Sequence, residues 1–342
     1  MVPQTRTTND DFLSFARQVR LRLRSEGRLP RGVLREEIDA SWRRSLQHGL
    51  DCLDSASEGP DGRADLESLL ARNRALIDAT APELEYLARQ HAQDGIIILG
   101  DAEANVLIVE GRTDSLSDLG LRDLRPGSCW SEARRGTNAL GTALVDVRPT
   151  LINQGEHYLE RLSRFSCTSV PIKDPQGRVI GVLDLTRDEL MTRPGDCLTA
   201  LMLAASNIEG RLFAAQYPEH IVLAFHNRPQ YLGSAWHGLL ALSLDGEVLA
   251  ANEQACGLLQ LSREALVGRR SSDLLGSRSQ QFIARLLQGG VSSVQTLKGD
   301  FYFRVLQVPR HAALSPGASL PPRRPMARSE PLEALAGNDP RL

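Results

Sequence analysis

Two segments of this sequence combine ionisable, polar and aromatic residues with small residues in a pattern that is typical of a ligand pocket. The first runs WSEARRGTNALGTAL over residues 130–144, and the second runs FSCTSVPIKDPQGRVIGVLDLT over residues 165–186. Neither contains an assembled catalytic group, so we expect a mostly apolar cavity with a few polar groups that bind. The candidate lining residues are Trp130, Glu132, Asn138, Thr142, His157, Tyr158, Phe165, Cys167, Ser169 and Asp184.

Each of these candidates also has a structural interpretation. Asp184 lies in an otherwise apolar strand, so it either has a buried partner or faces a polar pocket. His157 follows Glu156 and could face a ligand, cap a turn or titrate with pH. Asn138 could equally cap a helix that covers the cavity, and Trp130 could belong to the core.

The five cysteines indicate neither a disulfide framework nor a metal site. They stand at positions 52, 129, 167, 197 and 256, with no Cys-x-x-Cys pair and no histidine at zinc-finger spacing. We expect them to pack as small hydrophobic residues. Cys129 directly precedes the first pocket segment and Cys167 lies in the second, so they are the pair that a thiol redox function would use.

Composition and charge argue against a membrane or nucleic-acid surface. A length of 342 residues suggests two or three domains. The formal net charge of -2 gives no global attraction to phosphate or anionic lipid, and aromatic residues at 5% leave little material for base stacking. No apolar stretch approaches the roughly 20 residues of a membrane span, and the N-terminus lacks the apolar core of a signal peptide. We therefore expect a cytoplasmic protein.

The elements that position the pocket are predicted from periodicity and turn residues. Two helices are expected within residues 1–60, followed by an acidic linker. The next helix is predicted over Leu66–His91, where Pro82 opens a new first turn that Thr80 caps. The strands of two predicted β-hairpins are Ile96–Leu99, Val106–Val109, Thr168–Ile172 and Arg178–Leu185.

A helix predicted from Pro194 to about Gln216 carries apolar residues at heptad spacing. Such a seam pairs helices side by side, so it could form a homodimer or pack on the chain's own sheet, and both interpretations remain open. The candidate seam residues are Leu198, Leu201, Ala205, Ile208 and Leu212.

A second folding unit is predicted to begin near Tyr231. A helix-like segment at 233–242 leads into a strand over 240–244, and helices are expected after the N-cap residues Asn252 and Ser262. A helix over 278–287 and a closing strand over 301–308 complete the unit. The residues that follow are rich in Pro, Ser, Arg and Gly and are expected to form a connector.

The motifs GTNALGTAL at 136–144, Glu156-His157-Tyr158, and PIKDPQGRVIGVLDLT at 171–186 resemble the GAF domain of acetoin-catabolism-type, sigma-54-dependent transcriptional activators. The stretch GLLALSLDGEVLAANEQACGLL resembles the start of a PAS domain. The resemblance implies an α+β fold with N-terminal helices and two domains, each an antiparallel sheet flanked by helices. The implied parts are an N-terminal helical region at 1–60, a GAF sensor domain at 66–216, a PAS domain at 229–308 and a linker toward an AAA+ domain at 309–342.

The same resemblance implies a regulator and not an enzyme. A small ketone, diol, alcohol or aldehyde would act as effector, or a partner protein would, as in dihydroxyacetone-kinase-operon regulators. No GxxxxGK[ST] loop occurs in the sequence, so we expect contacts with ATP, DNA and sigma-54 RNA polymerase to belong to domains missing from it. We expect a homodimer without cofactor or metal.

Two alternatives belong to other functional classes. A GAF-type thiol redox enzyme would use Cys129 with Cys167, although the surrounding residues do not resemble its active site. A cyclic-nucleotide-binding GAF protein would use the charges of Arg134 and Arg135, again without a matching signature.

Overall fold

A computed structural model describes residues 9–54, 65–91, 95–111, 124–188, 194–275, 279–296 and 299–309. Helices combine with two antiparallel five-stranded sheets, which confirms the predicted α+β class. Among the described helices, none is both long and apolar enough to cross a membrane.

The first sheet and its helices occupy the chain up to residue 216. Its helices are α1 (Asn9–Glu26), α2 (Glu36–Gln47), α3 (Leu66–Arg72), α4 (Arg74–Gln90), α5 (Glu132–Arg135), α6 (Ala139–Asp146) and α7 (Pro194–Gln216). Its strands are β1 (Ile96–Asp101), β2 (Val106–Gly111), β3 (Thr150–Asn153), β4 (Ser166–Lys173) and β5 (Val179–Arg187), in the spatial order β2-β1-β5-β4-β3. We call this part the first sheet unit.

The second sheet unit occupies the remainder of the described chain. Its strands are β6 (Ile221–His226), β7 (Gly238–Leu242), β8 (Val248–Ala251), β9 (Ser292–Thr296) and β10 (Gly299–Gln307), in the order β8-β7-β6-β10-β9. Its helices are α8 (Glu253–Leu259), α9 (Arg263–Leu266), α10 (Ser271–Leu275) and α11 (Ser279–Leu287).

The first sheet is buried on both faces because its strands alternate apolar side chains between two cores. Ile97 and Leu99 of β1 pack with helices α4 and α7 on one face. Ile96 and Ile98 belong to the core on the opposite face, where α6 covers the sheet. Strand β1, which lies between β2 and β5, is therefore apolar over residues 96–99 and is buried throughout.

The N-terminal helices contribute to that second core. Leu23 of α1 and Trp42 of α2 are buried in the same cluster as Ile98. The Trp42 ring meets Tyr158 edge to face, with ring centroids 6.0 Å apart. Helices α1 and α2 thus pack as part of the first sheet unit.

Helix α7 joins the two units. Leu201 and Ile208 lie in the core of the first unit, whereas Phe213, one turn further on, packs with Val222 and Ala241 of the second sheet. The other face of the second sheet is filled by aromatic side chains, including Phe225 stacked on Phe303 at 5.2 Å.

Both predicted hairpins of the first unit are confirmed, since β1 pairs with β2 and β4 pairs with β5, each antiparallel. The prediction that Pro82 starts a new helix is wrong. The break falls at Asn73, and Pro82 lies inside α4. The Thr80 hydroxyl does not cap a new helix but donates to the Leu76 carbonyl one turn back at 2.7 Å.

The second unit differs from the sequence analysis at its beginning. The segment predicted as helix-like at 233–242 forms a turn followed by β7. Strand β6 was not predicted, although it is central and begins before residue 229. Its sequence, IVLAFH, is a short continuous apolar run, which periodicity cannot distinguish from a buried helix segment.

The candidate seam residues of α7 face the protein's own hydrophobic core. Leu201, Ala205, Ile208 and Leu212 are buried in the core of the first unit, and Leu198 packs against that core. The heptad spacing therefore serves packing on the chain's own sheet.

Replacing Trp42 with alanine should destabilise the first unit strongly, because its ring joins α2 to the core. We expect a loss of about 3–5 kcal/mol, as is usual for large buried aromatic residues. The matched control is Trp236→Ala, because that ring is 56% exposed, and it should cost less than about 1 kcal/mol. Urea unfolding of both variants measures the difference; equal losses would contradict the integration of α2.

Candidate functional site

A small cavity lies between the first sheet, the start of α6 and the loop that precedes β4. Its volume is about 20 Å³, which is enough for about one water molecule and too small for a larger ligand. The lining residues are Ile98, Leu124, Trp130, Asn138, Ala139, Leu140, His157, Leu162, Phe165, Cys167, Asp184 and Thr186. The structure thus brings six of the ten predicted candidates together around one small cavity.

The polar side of the cavity is a chain of hydrogen-bonding groups. The Ser169 hydroxyl donates to Asp184 Oδ2 at 2.6 Å. The Thr186 hydroxyl lies 2.7 Å from Asp184 Oδ1 and 3.1 Å from Cys167 Sγ, so its single proton can serve only one of them. Cys167 Sγ lies 3.5 Å from His157 Nε2, and His157 Nδ1 lies 3.0 Å from the Gln154 carbonyl.

Burial controls the protonation of this chain. It raises the pKa of Asp184 to about 7, and the hydrogen bonds from Ser169 and Thr186 only partly oppose it. It lowers the pKa of His157 to about 4, so the imidazole is neutral near pH 7. It also raises the pKa of Cys167 well above its usual range, which keeps the thiol protonated. Asp184 is therefore the group whose charge can change near neutral pH.

The start of α6 is fixed over the cavity by Asn138. Its side chain accepts from the Gly141 N–H at 2.9 Å as N-cap, and it donates to the carbonyls of Trp130 and Gly136. Gly141 allows the close approach of this helix to the preceding segment, because a Cβ there would lie 2.6 Å from the Glu132 nitrogen. Asn138 both caps the helix and lines the cavity.

The other four candidates lie away from the cavity. Glu132 and Thr142 face helix α2. The Glu132 side chain is buried there, with only 2% of its surface exposed. Arg44 donates to both oxygens of the Glu132 carboxylate, which also accepts from Ser41 and Thr142. The Tyr158 hydroxyl donates to the Leu50 carbonyl at 2.9 Å. Ser169 reaches the site only through its bond to Asp184.

The segment 154–163, which we call the His157 loop, connects the cavity to the N-terminal helices. Arg20 of α1 is buried and donates to the carbonyls of Gly155 and His157, both at 2.7 Å. Trp42 Nε1 of α2 donates to the Glu156 carbonyl, also at 2.7 Å. The loop that supplies an imidazole to the cavity therefore also holds α1 and α2.

Six lining residues were not among the candidates. They are Ile98, Leu124, Ala139, Leu140, Leu162 and Thr186. A sequence signal existed for Thr186, because it stands two residues after Asp184 and therefore on the same face of the strand. Ala139 and Leu140 directly follow Asn138 in the same motif. Leu124 lies in an irregular segment and Leu162 ends a one-turn 3₁₀ helix (Glu160–Leu162), so neither had a periodic pattern that could indicate it.

The alternative chemistries find little support in the geometry. Cys167 is a buried, protonated thiol, which is a poor nucleophile. Arg135 is buried with its guanidinium 5.2 Å from the Trp130 ring centroid. Within the described part of the chain, no group of three or more His, Cys, Asp or Glu residues could hold a metal ion.

Comparison with known proteins gives a family match. The family described as "MimR, N-terminal domain" matches residues 15–210. The acetoin catabolism regulatory protein of Cupriavidus necator is 29% identical over 259 residues, which are 73% of this chain and 38% of that protein. The propane 2-monooxygenase operon transcriptional activator MimR of Mycolicibacterium smegmatis is 32% identical over 142 residues, which are 40% of this chain and 24% of that protein.

The chain spans between 24% and 38% of the length of these two relatives. Among solved structures, the crystal structure of the E. coli DhaR(N)-DhaL complex matches with a TM-score of 0.48 at 17% identity. That match covers 80% of this chain and 99% of the other.

The raised pKa of Asp184 should make stability depend on pH. Because the folded chain holds this proton more tightly than the unfolded chain, the free energy of unfolding should fall as the pH rises from about 4 to about 7. Relative to Asp184→Asn, the wild type should lose roughly 3 kcal/mol between about pH 5 and about pH 8. Urea unfolding at both pH values tests this, with the exposed Asp245→Asn as control. If the difference in unfolding free energy between the wild type and Asp184→Asn is the same at both pH values, the burial argument is contradicted.

Removing Glu132 should loosen α2. We expect Glu132→Ala to cost about 3 kcal/mol, the lower end for a broken buried pair, because Arg44 keeps some contact with water. The control Glu85→Ala removes a partner of Arg89 in a pair that is 69% exposed on each side, and it should change stability by less than about 0.5 kcal/mol. Chemical denaturation of both variants gives the comparison, and equal effects would refute the anchoring role.

Proposed function

Because this chain belongs to the family described as the MimR N-terminal domain, we propose that it is the signal-sensing region of a sigma-54-dependent activator of a bacterial catabolic operon. Its relatives support the proposal, since they include regulators of acetoin catabolism and of a propane 2-monooxygenase operon. In this proposal residues 66–216 form a GAF sensor domain, and residues 229–308 together with β6 form a PAS domain. Residues 309–342 lead toward an AAA+ ATPase, and the role is regulatory and not enzymatic.

One observation carries the proposal: the His157 loop borders the cavity on one side and holds the N-terminal helices on the other. Arg20 and Trp42 bond to main-chain carbonyls of this loop, and His157 itself lines the cavity. A change in cavity contents that moves the imidazole must therefore move or strain the contacts of α1 and α2. This is the geometry that a sensor requires, because binding is converted into displacement of a separate element.

The mechanism is a shift between two conformations of the first unit. An effector that binds better to the arrangement with an enlarged cavity stabilises that arrangement. A coupling free energy of about 1–3 kcal/mol is typical of such responses. Helix α7 carries the change to the second unit, because its last turns pack on the second sheet through Phe213.

A small ketone, diol, alcohol or aldehyde suits the chemistry of the lining. Leu140, Leu162 and Phe165 offer apolar contact, and Asp184 with its neighbouring hydroxyls offers hydrogen bonds. Because the cavity has room for only about one water molecule, the effector must bind to a conformation with a larger cavity than this one.

A partner protein is the second candidate signal, and the small size of the cavity favours it. A protein that binds to the outer surface of α1 and α2 could shift the conformation of the same His157 loop without entering the cavity. A homodimer is also part of the proposal; since most seam residues of α7 are buried in the chain's own core, its contacts would use other residues. Contacts with DNA and RNA polymerase would belong to other domains of the full regulator.

Calorimetric titration with acetoin, acetone, butanediol and acetaldehyde tests effector binding. We expect Ala139→Leu to weaken the binding of the active compound at least roughly tenfold, because the larger side chain fills the space beside Asn138. The matched control Ala215→Leu changes an exposed residue of α7 and should bind as the wild type does. Equal affinity in both variants would place the effector outside the cavity. If no compound binds and candidate partner proteins also fail to bind, the sensory proposal is wrong.

A further inference from the structure

A second and larger space lies between the two sheet units. We call it the joint cleft; it is bounded by the segment after α6, by β4, by α7 and by the start of α8. Its volume is about 240 Å³, against about 20 Å³ for the cavity near Asp184. The joint cleft is therefore large enough to hold a small organic molecule in the conformation described.

The walls of the joint cleft are largely apolar. Pro171 of β4 and Met202 of α7 form part of them, and Val147 lies at the rim. Val147 and Met202 are each 49% exposed, which is high for apolar side chains. The cleft thus offers contact to a hydrocarbon chain.

Val147 reaches the cleft through an unusual backbone conformation. It has φ of 53° and ψ of 36° at the C-terminal end of α6, in the left-handed region that a β-branched residue rarely adopts. Such strain persists only where the surrounding structure enforces it, and it is common at ligand sites.

The polar end of the cleft has an unmet acceptor. Gln254 Oε1 of α8 is buried and has no hydrogen-bond partner among the residues that the structure describes. A buried acceptor without a donor costs about 1–3 kcal/mol. Because this atom is closed to solvent, a bound molecule can donate to it only after the Gln254 amide turns toward the cleft, and that hydrogen bond would remove the cost.

The charges around the cleft favour a neutral ligand. Lys173 Nζ and Arg263 Nη2 both lie 3.5 Å from Glu253 Oε2, so these two cations share a carboxylate. Glu209 accepts from the Lys173 main-chain N–H at 2.8 Å, and its burial raises the pKa to about 7. Neither an isolated cation nor an isolated anion is left to bind a strongly charged ligand.

We propose that the joint cleft binds a small uncharged molecule with an apolar chain and a hydroxyl group, which donates to Gln254 Oε1 once the Gln254 amide has turned into the cleft. The molecule contacts β4 and α7 of the first unit and α8 of the second. Its binding therefore depends on the relative position of the two units, and it would stabilise the arrangement described. This site is separate from the cavity at Asp184 and does not depend on the sensory role proposed for that cavity.

Methyl NMR of methionine-labelled protein provides the test, because Met202 reports on the cleft and can be assigned with Met202→Leu. The probe is a hexanediol with adjacent hydroxyl groups, and the matched compound is the hexanone, which lacks a donor. We expect the Met202 methyl signal to shift saturably with the diol and to need a roughly fivefold higher concentration of the ketone.

The preference for the diol should disappear when the acceptor is removed. Gln254→Leu, or Gln254→Ala if the former does not fold, should bind the diol and the ketone equally. The substitution removes the acceptor and the ketone lacks the donor of the same hydrogen bond, so the two effects do not add. The exposed Gln18→Leu should behave as the wild type. An unsaturable Met202 shift, or a preference that survives in the Gln254 variants, would overturn the proposal.

Discussion

A buried guanidinium fixes the part of this molecule on which the candidate site depends. Arg20 is almost completely removed from water, and burial lowers its pKa to about 10. Burying a charge is costly unless hydrogen bonds replace the lost water. The carbonyls of Gly155 and His157 and the hydroxyl of Ser163 provide them. The position of α1 and the conformation of the His157 loop therefore cannot vary independently.

This constraint bears on the proposed sensory role, because the small cavity and the N-terminal helices share the His157 loop. Its polar groups already form a chain of contacts with one another, from Ser169 through Asp184 to His157. A molecule that enters must replace some of these bonds and enlarge the space, so it must displace the loop or α6. A spacious, rigid pocket would bind without moving anything. Close packing is thus what couples the contents of the cavity to the helices outside it.

Sequence reasoning succeeded where local signals decide and failed where distant segments meet. The hairpin turn Asp174–Gly177 and the caps Asn252 and Ser262 are local, and the structure has each of them. Glu132 is predicted to line the pocket because it lies in the segment 130–144, but it faces α2. Its partner Arg44 lies 88 residues away in the sequence, and no pattern within either segment indicates that pairing. The docking of α1 and α2 is tertiary in the same sense.

The shared helix α7 has a consequence for the way the molecule unfolds. One of its faces completes the core of the first unit, and its last turns cover the second sheet through Phe213. Unfolding of either unit would expose apolar surface of the other to water, so the two units should unfold in one cooperative transition. A fragment cut within this helix would expose Phe213 or leave the second sheet uncovered, and it would be prone to aggregate.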